Sequence, residues 1–337
     1  MTLLSDLQTA LGDGVLVDDA ARSERARDTW SRSQIPISAG AAEVLPVAVC
    51  APTSTDELVE VVSICRRHGA PMIPRGGGSG VVGGVLASEA SVVISTERMA
   101  GLRHLADDDL LATFGAGTNG LVAEQLMVDQ GLTIGHWPQS IELSTVGGWL
   151  ATRASGQYST AYGNIEDLVY SFEAVLADGS VYRSRDTPRA AAGPDLRHLL
   201  IGSEGVLGLI SEVTLSVREQ PEPGVRQAFH FDEMGAGLDA IRAVMRAGWR
   251  PPVVRLYDGR ESWRHFRDRL PKGNCMLIFL HEGPPGLASV QAEAVAATCA
   301  DRGGVEAPAD VVDGWFEHRN TVPTWDELLA GGIVADT

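Results

Sequence analysis

Long apolar runs are missing from this chain of 337 residues. No stretch approaches the roughly twenty apolar residues of a membrane span, and the start, Met1 to Leu7, has no basic region ahead of a hydrophobic core, so neither a spanning helix nor a secretory signal is expected. Cysteine is scarce. Cys50, Cys65, Cys275 and Cys299 form no C-x-x-C pair and no cluster with histidine, which excludes the usual zinc spacings and a disulfide framework and leaves four buried, reduced thiols in a cytoplasmic protein. Positive charge is also short. The net charge of −17 is spread along the chain and argues against nucleic acid and anionic membrane surfaces as partners. No internal repeat or low-complexity tract is present. The 44% apolar content is ample for packed cores, and the length suits about two domains.

Glycine, by contrast, is concentrated. Pro74, Arg75, Gly76, Gly77, Gly78, Ser79 and Gly80, followed by Val81-Val82-Gly83-Gly84, place six glycines and one hydroxyl directly after a short apolar segment. Glycine reaches positive φ and carries no Cβ, so successive N–H groups can converge on phosphate oxygens as a nest; the same run would also serve as a plain surface turn. Gly78 to Gly83 satisfies G-x-G-x-x-G, with Glu97 about twenty residues on where a dinucleotide-binding fold places its ribose acid. A Rossmann reading nevertheless fails on length. The next strand, Ser91 to Ser95, begins after only six residues, too few for the crossover helix of a βαβ unit. The helix lies upstream instead: Ser54 and Glu57 read as a capping box, and Leu58, Val61, Val62 and Cys65 form one apolar stripe ending at His68-Gly69. The order is helix, strand 71–74, glycine loop, strand, with a diphosphate held between strands.

Four segments in this order resemble the FAD-binding domain of the vanillyl-alcohol oxidase family, the PCMH type, and within it alkyldihydroxyacetonephosphate synthase. They are Pro74 to Gly80; Gln139, Ser140, Ile141, Glu142, Leu143, Ser144 and Thr145 continuing through Gly147 and Gly148; Thr152, Arg153, Ala154 and Ser155; and Glu204, Gly205, Val206, Leu207, Gly208, Leu209 and Ile210. Tyr162 to Val169 also matches the synthase-like branch. The resemblance implies that all four segments contact FAD.

Each segment has a physical reading beside that one. The hydroxyls of Ser144 and Thr145 can bond a phosphate or a flavin carbonyl, and Gly147-Gly148 allow close approach to a flat ring. Residues 205–210 suit a strand beneath a flavin ring or an ordinary core strand. Arg153 can pair with a phosphate or with Glu166 or Asp167. Gly80 stands where the synthase-like pattern usually has a second hydroxyl, which passes that contact to an amide. The glycine loop has no histidine, where some relatives attach flavin, so the FAD is expected to be non-covalent.

The expected fold is α+β: a two-lobed FAD-binding domain over residues 1–220, with lobes of about 1–100 and 101–220, and an incomplete α+β cap over 225–337. In the first lobe an N-terminal helix and a strand over 44–51 are expected. In the second, a strand at 110–114, a helix capped by Thr118, a hairpin turning at Asp178-Gly179, and a strand at 210–217 are expected. Glu219 to Gly224 is a Pro-rich acidic linker. The cap should hold helices near 237–247 and 287–302 and strands 253–257 and 275–281. Val253 to Asp258 resembles the synthase segment that carries a required arginine, which assigns Arg255 either to a substrate phosphate or to a salt bridge. His136 reads as a loop-orienting residue, and His318 and Arg319 as packing or solvent residues.

The end of the chain, 331–337, corresponds in relatives to the start of another cap segment, which suggests an interrupted domain. The resemblance places the proton-donating tyrosine and a histidine-rich run beyond Thr337. It implies a synthase-like exchange of alkyl for acyl on an ether-lipid precursor at a flavin adduct, or, alternatively, 2-hydroxy acid oxidation of the D-lactate or glycolate type. A flavin-binding module lacking catalytic side chains is the third reading. The expected partners are a small-molecule or lipid-precursor substrate and either a second copy in a homodimer or a separate C-terminal segment.

Overall fold

The computed structural model describes residues 2–321 and 324–332. The first sheet runs in the order Val15–Leu16, Ala48–Cys50, Val92–Ser95, Met72–Arg75, with the last three strands parallel. Helices Leu3–Leu11 and Thr55–His68 cover it, and Leu58, Val61, Val62 and Cys65 are buried against Val92 and Ile94. Apolar spacing of 3.6 residues per turn thus points one helix stripe at the sheet. Ser54 Oγ accepts from Glu57 N–H at 3.2 Å and Gly69 closes the helix at φ 64°. The reciprocal half of the expected capping box differs: Glu57 accepts from the N–H and hydroxyl of Thr53, one residue earlier than Ser54.

The parallel strands Met72–Arg75 and Val92–Ser95 are joined by residues 76–91 with no helix or strand between them. The length argument against a Rossmann motif therefore holds, and Glu97, where that motif would place its ribose acid, pairs with Arg25 at 3.0 Å.

A second sheet is wholly antiparallel, in the order Leu102–Ala106, Leu111–Gly115, Gly208–Ser216, Val169–Leu176, Val181–Arg183. The expected hairpin turns at Gly179, φ 88°. Helix Gly120–Val128 is capped by Asn119, whose Oδ1 accepts from the N–H groups of Leu121 and Val122. Thr118, the expected cap, instead donates its hydroxyl to Gly115 O at 2.6 Å and accepts from Gly101 N–H, tying a turn to the sheet.

After residues 220–224 a third sheet follows, antiparallel in the order Val253–Tyr257, Cys275–His281, Val225–Phe231, Val305–Ala307. All seven residues of Cys275–His281 are buried because both faces are covered. Phe229, Phe231, Leu277 and Phe279 pack on one side with residues of helices Met234–Arg246 and Leu287–Ala300; Met276, Ile278 and Leu280 pack on the other with Val311, Val312 and Trp315 of helix Asp310–His318. Strand Val225–Phe231 and the helices Gly259–Phe266 and Asp310–His318 escape a pattern reading, since the first directly follows the Pro-rich linker.

The four cysteines are unpaired and buried, and burial pushes the Cys50 thiol up to about 12. Among the described residues no helix is long and apolar enough to cross a membrane, and no cluster of histidine, cysteine or carboxylate could hold a metal. Gly331 and Gly332 form a turn; the rest of the expected cap segment, 333–337, lies outside the described residues.

Candidate functional site: a glycine-walled cleft

A cleft of about 470 Å³ opens between the first two sheets, within the usual range for a ligand pocket. Pro74 through Gly80 form one wall. Ser140, Ser144, Thr145, Gly147, Gly148, Thr152 and Ala154 form a second, and Glu204, Gly205, Gly208, Leu209 and Ile210 a third. Val81, Val82 and Gly84 of the same glycine run line it too, as do Trp149 and Ser203 beside the expected contacts; Asp28, Val85, Thr96, Ala116 and Ala151 also line it, and the sequence reading missed those five. The three walls come from distant segments, yet they fit one another without room for side chains. A methyl on Gly77 would overlap the carbonyl oxygen of Leu143, one on Gly76 would sit 2.5 Å from Thr145 Oγ1, and one on Gly205 2.6 Å from Pro74 Cγ.

The chemistry of the first wall is that of an anion nest. Gly77 to Val82 donate their main-chain N–H groups to no protein acceptor among the described residues. Residues 77–80 are half-buried and Val81 and Val82 exposed, so these six donors are left to solvent or to a ligand, and their run along a glycine loop beside a cleft fits an oxygen-rich one. Arg75 supplies the local cation. Its guanidinium folds over Gly78, donates to the carbonyls of Gly76 and Glu24, and forms no carboxylate pair among the described residues; burial lowers its pKa. Thr145 Oγ1 caps helix Val146–Thr152 by accepting from Gly148 N–H, and Ser144 Oγ accepts from the Trp149 indole at 2.8 Å. Each hydroxyl keeps its own proton to donate to a ligand. These features fit the diphosphate and flat ring of FAD.

Nine expected contacts are not among the lining residues, for identifiable reasons. Ile141 is fully buried in the core and Gln139, Glu142 and Leu143 face outward; only the Leu143 carbonyl meets the glycine loop. Arg153 takes the left-handed C-cap position, φ 51°, and donates to His198 O, so it pairs with neither a carboxylate nor the cleft. Ser155 donates to Asn164 Oδ1. Val206 and Leu207 belong to an exposed turn, Val206 at 80% accessibility, because the strand begins only at Gly208. Arg255 lies on the third sheet, exposed, with its guanidinium carbon 5.7 Å from the Trp315 ring and 6.0 Å from Tyr257.

Beside the cleft runs a seam of arginine and aromatic side chains that join the first 220 residues to the rest. Arg319 sits among four rings, 4.4 Å from Trp137, 4.6 Å from Phe316, 5.4 Å from Tyr158 and 5.6 Å from Trp315, and donates to Tyr158 Oη at 2.9 Å. Tyr162 Oη donates to Glu282 at 2.7 Å while Arg218 stacks 3.9 Å over the Tyr162 ring. Burial raises the pKa values of Tyr158, Tyr162 and Glu282 and lowers that of Arg218. His136 lies between seam and cleft. It is wholly buried, packs edge-on 4.7 Å from Trp149, has no hydrogen-bond partner for either ring nitrogen, and burial pushes its pKa down to about 4. A ring of this kind contributes by packing and takes up no second proton at neutral pH.

Comparison with known proteins identifies the domain that carries the cleft. A family model described as "FAD binding domain" matches residues 46–185. The chain carries a PCMH-type FAD-binding domain. It is 37% identical over 282 residues to the FAD-linked oxidoreductase YgcU of Escherichia coli K12, covering 83% of this chain and 58% of that one. It is 30% identical over 315 residues to alkyldihydroxyacetonephosphate synthase of Dictyostelium discoideum, covering 93% of this chain and 51% of the synthase. A solved structure of an alkyldihydroxyacetonephosphate synthase superposes with a TM-score of 0.84 at 27% identity, over 94% of this chain and 62% of that chain. Over most of its length the chain is thus similar to FAD-linked oxidoreductases, its cofactor is FAD, and it spans just over half the length of the two curated relatives.

Proposed function

We propose that the cleft holds FAD without a covalent bond, the diphosphate on the amides of residues 77–80 and Arg75, and that the chain serves an exchange like that of alkyldihydroxyacetonephosphate synthase. The run of open amides carries the binding half of this reading; no histidine, cysteine or tyrosine is among the residues lining the cleft, which supports a non-covalent cofactor. Residues 1–220 would act as the FAD-binding domain and 225–337 as part of the cap. The reduced, buried thiols suit a cytoplasmic location.

FAD supplies a two-electron acceptor and an electrophilic ring, and the side chains of this protein orient and shield whatever meets it. Leu209, Ile210, Val81 and Trp149 give the cleft apolar walls that exclude water. Arg255 is exposed and forms no carboxylate pair among the described residues, which supports its role as the anchor of a substrate phosphate. Oxidation of a 2-hydroxy acid is the second reading, favoured by the oxidoreductase name of YgcU.

The test begins with the visible spectrum of the purified protein. Anaerobic addition of D-lactate or glycolate should leave a synthase-like flavin coloured, while labelled fatty alcohol supplied with acyl-dihydroxyacetonephosphate should appear in alkyl-dihydroxyacetonephosphate with release of the acyl chain as fatty acid, and that exchange should fall with Arg255→Ala. Bleaching by the hydroxy acid would establish the second reading instead. Activity appearing only after a separately expressed C-terminal segment is added would make the chain a flavin-binding module. A colourless protein that cannot be reconstituted removes every flavin reading.

A further inference from the structure

We propose that Asp28 is a positioning residue for the FAD diphosphate: with its neighbours it forms a strap that holds the far half of the glycine loop in its amide-presenting shape. The inference rests on the cleft being the FAD site. It concerns a segment that precedes residues 46–185, the part matched by the family model.

The near half of the loop is fixed by close packing, since Gly76 and Gly77 press on Thr145 and Leu143. The far half, residues 79–87, has no helix or strand of its own and includes Gly80, Gly83 and Gly84, the most costly residue type to order. Segment 24–34 orders it. Ala87 N–H donates to Ala26 O at 2.8 Å, Gly83 N–H to Asp28 Oδ2 at 2.9 Å, and the Thr29 N–H and hydroxyl both to Gly80 O at 2.9 Å, so the two segments run antiparallel. Gly83, at φ 82°, is pressed against the Trp30 ring.

Asp28 is the centre of this strap. It is 2% exposed, lines the cleft, and forms no ion pair among the described residues. Its Oδ1 accepts from Trp30 N–H at 3.2 Å while its carbonyl accepts from Gln34 Nε2 at 2.6 Å. A buried carboxylate beside a site for an anion is unfavourable unless its oxygens are needed. Here both oxygens face main-chain donors, and only an acceptor-only group satisfies the two together. In the Asp28→Asn variant the uncharged, isosteric amide would turn its NH2 toward one of those donors.

The decisive measurement is hydrogen exchange of the two bonded amides of this half, Gly83 and Ala87, in the cofactor-free protein, paired with affinities for FAD and for ADP, which carries the diphosphate without the flavin. Asp28→Asn should speed that exchange about tenfold and weaken FAD and ADP by the same factor of about ten, the scale of one unsatisfied buried donor. The cofactor-free melting temperature should stay within about 2 °C of the parent, which a general loss of structure would not allow. Thr29→Val, losing one of the two bonds to Gly80, should do the same about threefold, and it carries the comparison if Asp28→Asn fails to fold. Unchanged exchange overturns the strap, as does a loss of FAD affinity that ADP does not share. A parent protein that binds neither nucleotide ends the cofactor reading, and the exchange result then decides the strap alone.

Discussion

The cleft and the seam beside it are built on opposite plans. The cleft works through main chain: open amides line it, and Gly77, Gly76 and Gly205 let the backbone meet Leu143, Thr145 and Pro74 with no side chain between. The seam works through side chains: Trp137, Tyr158, Tyr162 and Arg218 on one side meet Glu282, Trp315, Phe316 and Arg319 on the other, each contact costing desolvation that only a satisfied partner offsets. A site made of backbone is sensitive to added atoms, and a seam of large side chains to removed ones.

That contrast can be broken experimentally. The largest effect is expected from Gly77→Ala, whose new methyl meets the Leu143 carbonyl; the loop must shift, and FAD affinity should fall about a hundredfold with little change in cofactor-free stability, read by flavin titration and melting. Retained affinity would show that the loop can relax and that the close fit is incidental.

Next comes His136, between the two regions. Its folded-state pKa is depressed to about 4, so the unfolded chain binds a proton first as pH falls. Stability from this group is complete above pH 6.5 and is lost on acidification toward pH 4, by up to about 3 kcal/mol. Denaturant melts from about pH 7 to about pH 4 should show that slope, and His136→Leu should flatten it.

Arg319→Ala should cost about 2 kcal/mol of stability by removing the guanidinium from four rings, and Arg319→Lys should recover only part, since a point charge does not stack. FAD affinity should be unmoved in both, the reverse of Gly77→Ala. The smallest effect is expected from Arg75→Gln, which should weaken FAD about tenfold at low ionic strength and less in about 0.5 M salt, because it removes one local cation from an acidic protein.

Legibility in the sequence followed the same division. Ser54 and Gly69 bound a helix whose apolar stripe is buried, and the glycine run lies where its residue types require. Arg153 and Thr118 were misjudged because a charged or hydroxyl side chain has several possible partners, and distance chooses: His198 O for one, the Gly101 and Gly115 main chain for the other. Val206 and Leu207 look like core strand by composition, but the strand starts two residues after Val206. Asp28 gave no sequence pattern at all.

The sequence by itself determined the local chemistry: a backbone almost free of Cβ atoms over 76–80, too few residues after it for a crossover helix, and a helix with its own caps, because each depends on residues within one turn or loop of each other. Tertiary structure alone decided which distant walls close the cleft, that residues 28–30 strap the loop, and that Arg319 is enclosed by rings from both sides. Those outcomes depend on which segments, separated by about fifty to almost two hundred residues, the packed sheets bring within hydrogen-bond reach, and no local pattern encodes that distance.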